Sequence, residues 1–139
     1  MTQNQEAQKA IAGLLESGNK QFFESKDYDS ALGQYRDAYS MARKLQQARY
    51  EAFAANNIGL VYTKAGQYER ARISYEQALK MLDQVRLTGE QSSIEDEKST
   101  VRKNMQILVD TVLTDTEGSN LSETGGSNGG KGGTLPKYP

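Results

Sequence analysis

Between about residues 5 and 114, apolar residues recur at three- and four-residue steps with polar residues between them. That is the period of amphipathic helices, and no stretch alternates strictly enough to make a good strand. The pattern predicts five helices in succession. The first carries Ala10, Leu14 or Leu15, Gly18 and Phe22 and ends near Ser25-Lys26. Asp27 is a good N-cap for the second, in which Tyr28, Ala31, Tyr35 and Ala38 repeat at helical steps. A third covers roughly 49–64 and is stopped by Gly66, and a fourth covers about 68–86 with Gly89 as its stop. Ser92 followed by Glu95 has the spacing of a capping box and opens a fifth. Its apolar stripe is Ile94, Val101, Met105, Leu108 and Val112. The expected fold class is therefore all-α.

Two of these helices are copies of two others. KDYDSALGQYRDAYSMA, beginning at Lys26, overlays GQYERARISYEQALKML, beginning at Gly66. Tyr28 falls on Tyr68, Ala31 on Ala71, Tyr35 on Tyr75 and Ala38 on Ala78, each 40 residues apart. Upstream, residues 17–23 pair more loosely with 58–64 and bring Phe22 onto Tyr62. Self-similarity at such a period is the mark of a stacked repeat architecture.

Ile58-Gly59-x-x-Tyr62 followed by Gly66-x-Tyr68-x-x-Ala71-x-x-x-Tyr75-x-x-Ala78 resembles the tetratricopeptide repeat. The chain departs from that pattern with Ala55 in the place of its Trp, no closing Pro, and a 40-residue period like that of a long-helix variant of the family. The resemblance implies an antiparallel helix-hairpin repeat, an α-solenoid of about two repeats (about 5–45 and 48–87) with a C-terminal capping helix (about 92–114). Small residues such as Gly59 and Ala71 would let paired helices approach closely, while Gly66 would make the turn between them. It also implies a non-catalytic interaction module, an adaptor or scaffold that binds a protein or peptide partner in a concave groove. Carried onto this sequence, the groove positions are Phe53, Asn56, Asn57, Leu60, Thr63 and Lys64 in the second repeat. Leu15, Glu16, Asn19, Phe22 and Phe23 are their counterparts in the first helix, and Ser99, Arg102, Lys103 and Gln106 those in the fifth. Some members of the family grip a partner's carboxylates with lysines, arginine and asparagines. Asn19 and Asn57 match the two asparagines, but Leu15 stands in the place of the first lysine, and Lys103 could supply only one cation at the third helix's position.

Composition removes several other functions. The chain has no His, Cys or Trp, so the usual ligand sets for zinc, copper, haem and iron–sulfur clusters cannot be assembled, and no cofactor is expected. The commonest general base and any thiolate nucleophile are missing too. An enzyme would need a carboxylate pair such as Glu16 and Glu51, which no spacing demands. A net charge of −1 with scattered basic pairs offers no field for nucleic acid or an anionic membrane. The N-terminus lacks the basic and apolar blocks of a signal peptide, and no apolar run approaches 18 residues. The expected location is cytoplasmic.

Past Thr114 the composition changes: both prolines and seven of the thirteen glycines lie there. Residues 115–139 are expected to be a disordered Gly/Ser-rich tail, carrying a minimal PxxP at Pro136–Pro139 and an idle glycosylation sequon at Asn120. The alternative to an adaptor is a structural unit that forms a homodimer, stacks in a larger array, or ends a multidomain protein.

Overall fold

The computed structural model describes residues 2–87 and 94–121. Its helices are α1 (Gln3–Asn19), α2 (Tyr28–Lys44), α3 (Ala48–Lys64), α4 (Tyr68–Leu87) and α5 (Ile94–Leu121), with a π turn, Lys20–Glu24, continuing α1. Each helix packs chiefly on its neighbour in sequence, and α3 also touches α1 and α5. No strand occurs among the described residues. The expected Gly89 stop and Ser92 cap fall outside them, as do the PxxP and most of the Gly-rich tail.

Capping chemistry sets the helix starts. Thr2 and Gln5 form a reciprocal capping box at the head of α1, and Asp27 accepts the backbone N–H of Ser30 at 3.2 Å at the head of α2. Three helix ends turn through left-handed residues: Lys26, Gln46 and Gly66, with φ of 57°, 56° and 76°. After each, an N–H reaches back past the turn, six residues from Asp27 to Gln21 O and five from Gln47 to Ala42 O and from Gln67 to Tyr62 O. This closes the carbonyls that a helix end leaves open.

The core alternates small residues with tyrosines. Ala31, Ala38, Ala71 and Ala78 are fully buried, as are Tyr35 and Tyr75. The ring of Tyr75 packs on Gly59 and that of Tyr35 on Gly18, so the two glycines are structural equivalents. They are 41 residues apart, whereas the tyrosines are 40 apart. The π turn absorbs the odd residue, with Ser25 N–H bonded to Lys20 O at 3.1 Å, five residues back. That is why the upstream overlay of the two repeats is loose.

Two boundaries differ from expectation. The buried positions of α1 are Ile11, Leu15, Gly18 and Asn19, followed by Phe22 in the π turn, and Ala10 is exposed; the stripe starts one residue later because Ile11, not Ala10, is four residues before Leu15. α5 continues to Leu121, through residues assigned by composition to the tail. The five residues from Asp115 to Ser119 include one glycine and two acidic residues, too little to stop a helix that is already propagating.

Candidate functional site

α3 is the helix on which any site must be built, because every described neighbour meets it. From Glu51 to Thr63 only Ile58 is not buried. Ala52, Ala54, Ala55 and Gly59 keep it slim enough to be surrounded.

This corrects the expectation that Asn56, Asn57 and Leu60 face an open groove. All three are fully buried. The asparagines instead belong to an internal chain of amides spanning four helices. Asn104 of α5 donates to Asn56 Oδ1 at 2.9 Å, and Asn56 donates to Asn57 Oδ1 at 3.2 Å. Asn57 in turn donates to Asn19 Oδ1 at 3.4 Å, an oxygen that also accepts the Tyr35 hydroxyl at 2.6 Å. Burial pushes the Tyr35 phenol well above its ordinary pKa, so it stays a donor. The carboxylate-gripping arrangement has no place here, since both asparagines are spent on internal bonds. Asn104 and Tyr35 complete the chain, and the sequence singled out neither as polar partners.

The remaining expected positions scatter. Phe22 is buried, and half-buried Phe23 meets it edge-on at 4.6 Å. Leu15 is buried and Glu16 exposed. Thr63 is buried, donating to Gly59 O at 2.8 Å beside the Tyr75 hydroxyl. Lys64 is exposed at the end of α3, and Ser99, Arg102, Lys103 and Gln106 are exposed on α5. Glu51 is buried facing Tyr39 and Arg43 of α2.

One expected residue, Phe53, does line an open space. A cleft of about 610 Å³ lies where the starts of α1, α3 and α5 meet the turn 45–47 and the end of α4. Its polar wall is amide: Asn4, Gln8, Gln46, Gln47 and Gln84. Gln8 donates to Gln47 Oε1 at 3.2 Å, and Gln47 donates to Asn4. Its apolar wall is Phe53, in edge contact with Tyr50 at 5.3 Å, with Ala48 and Val85. Arg49 and Glu97 form an ion pair at the edge, Nε to Oε1 being 2.8 Å. Sequence reasoning missed these amides because glutamine at an exposed helix end is ordinary, and only the convergence of five elements makes them a wall. Among the described residues no cluster of metal-ligating side chains occurs, and no helix is long and apolar enough to cross a membrane.

A stack of antiparallel helix hairpins, with glycine and alanine at its crossings and a terminal helix across α3 and α4, defines the class of α-helical repeat proteins. The particular family follows from comparison with known sequences. Residues 21–84 match the tetratricopeptide repeat, so this part of the chain carries tetratricopeptide repeats. No curated protein and no solved structure matches it. Tetratricopeptide repeats generally mediate protein–protein interaction and are typically non-catalytic.

Proposed function

We propose that this chain is a non-catalytic interaction module that holds a peptide segment of a protein partner in the cleft at the starts of α1, α3 and α5. The cleft itself carries the reading. Its volume is that of a small-ligand or side-chain site, and it sets an aromatic wall against a polar one, the combination that anchors a side chain while bonding a backbone. The rest of α3 offers less, because its side chains are committed to the interior. The test is affinity capture with the full chain, repeated with Tyr50→Ala and Gln84→Ala and with Arg72→Ala as a distant surface control. A partner lost by the first two and kept by the third supports the cleft; equal capture by all three overturns it.

A second reading, self-association, draws on Val109 and Leu113, which are 49% and 57% exposed four residues apart on α5. Light scattering would show a doubled mass that Leu113→Lys restores to a monomer. A monomeric wild type removes this reading.

A further inference from the structure

The walls of the cleft carry information about the chemistry of what fits there. Among the described residues lining it, Arg49 is the one cation. Its guanidinium is held by Glu97 through Nε, at 2.8 and 3.2 Å from the two carboxylate oxygens, and through Nη2. Glu97 is itself buried against the body. A carboxylate arriving in the cleft would meet a cation whose charge Glu97 already compensates, and would stand close to that buried anion, which is unfavourable.

The amides present a different opportunity. A primary amide side chain carries an acceptor oxygen and two N–H donors, and so can pair with both the C=O and the N–H of a peptide group. Asn4, Gln8 and Gln47 already bond to one another, and Gln47 spends its second N–H on Leu45 O at 3.3 Å; these contacts leave donor capacity on Asn4 and Gln8 and acceptor capacity on all three. Gln84, on α4, faces the same space from the other side. The Tyr50–Phe53 pair, three residues apart on α3 with its rings inclined at 68°, adds an apolar wall beside them.

We propose that the cleft selects an uncharged internal segment of a partner, with an aromatic or large aliphatic side chain against Tyr50 and Phe53 and flanking peptide groups bonded to the amides. A free carboxyl terminus is disfavoured because Glu97 already satisfies the only cation of the described wall. This rests on the cleft being the binding site, as proposed above. Glu97 is then the specificity residue: it acts through Arg49 by keeping that charge from an incoming carboxylate.

The test uses two small probes on the full isotope-labelled chain, followed by amide chemical shifts in NMR. N-acetyl-phenylalaninamide mimics an internal residue, and N-acetyl-phenylalanine differs from it by a carboxylate at neutral pH. The capped amide is expected to shift Gln47, Ala48, Tyr50 and Phe53 and to bind at least threefold more tightly than the acid. In Glu97→Gln, which leaves Arg49 with a neutral neighbour, the preference is expected to fall or reverse. If the acid binds the wild-type cleft as well as the amide does, the selectivity is overturned while the cleft remains the binding site. If neither probe shifts those residues, the cleft reading falls with it. The wild-type comparison decides the matter even where Glu97→Gln fails to fold, and a Tyr50→Ala chain that binds both probes unchanged would place them elsewhere.

Discussion

The ring of Tyr75 lies over the bare Cα of Gly59, so close that a β-carbon there would stand 2.4 Å from Cε1 of the ring. Gly18 and Tyr35 repeat the arrangement, with a corresponding distance of 2.6 Å. Helix propensity alone favours alanine over glycine by about 1 kcal/mol. Inserting a methyl into a packed core costs about 1–3 kcal/mol, and here the neighbour is a fully buried ring with nowhere to go. Packing therefore wins. Gly59→Ala and Gly18→Ala should each lower the thermal midpoint. Gly13→Ala and Gly33→Ala, where an added β-carbon meets nothing within 4 Å, should raise it. A common sign for all four would contradict the packing.

The buried amide chain makes Asn57 a structural residue. Read from the sequence, Asn57→Ala should leave stability nearly unchanged. With Asn57 fully buried between Asn56 and Asn19, its truncation strips partners from two other buried amides. About 1–3 kcal/mol should be lost, the usual cost of leaving buried polar groups unsatisfied. Chemical denaturation of the two chains measures it, and a midpoint shift near zero would show that the amides find other partners.

The left-handed turns allow a paired test. Gly66 sits at φ 76° and Lys26, its counterpart one repeat earlier, at φ 57°. A β-carbon in that region costs roughly 1–2 kcal/mol. Gly66→Ala should therefore destabilise the chain and Lys26→Gly should stabilise it. The gain at Lys26 should be the smaller change, because glycine also raises the entropy of the unfolded chain and the Lys26 ammonium donates to Phe23 O. Thermal melts of both variants give the two signs directly.

Glu51 ties stability to pH. Its burial raises its pKa above the ordinary value of 4.5, with Arg43 and the Tyr39 hydroxyl opposing the shift only in part. A carboxyl whose folded pKa is raised contributes stability that is fully present below its unfolded pKa and is lost as pH rises through the folded one. Glu51→Gln should thus stabilise the chain relative to wild type at pH 7, and that advantage should shrink toward pH 4. An advantage independent of pH would mean that Glu51 titrates like a solvated glutamate.

Much of the architecture was legible because it is encoded at short range. The duplicated Tyr-x-x-Ala-x-x-x-Tyr-x-x-Ala steps named both hairpins, and Asp27 and Gly66 marked their boundaries by local capping chemistry. The start and the turn that were missed are also instructive: Thr2 caps α1 with a Gln rather than a Glu at the third position, and Gln46, like Lys26 at the expected end of the first helix, turns the chain in a conformation more often left to glycine. The π turn could be inferred only by comparing two offsets, between the glycines and between the tyrosines.

The site divides in the same way. Sequence alone determined that this chain stacks repeated helix hairpins, with Gly59 as a close-packing residue and Gly66 as a turn, because helix period, caps and small-residue spacing are properties of neighbouring positions. Which asparagines meet solvent was decided by the tertiary structure. Asn56 and Asn57 sit on a helix enclosed by α1, α2, α4 and α5, so their exposure depends on helices as far along the chain as Asn104. The cleft follows from the same cause. Asn4, Gln47, Tyr50, Gln84 and Glu97 come from four helices and a turn, and only the packing of those helices brings them together around one space.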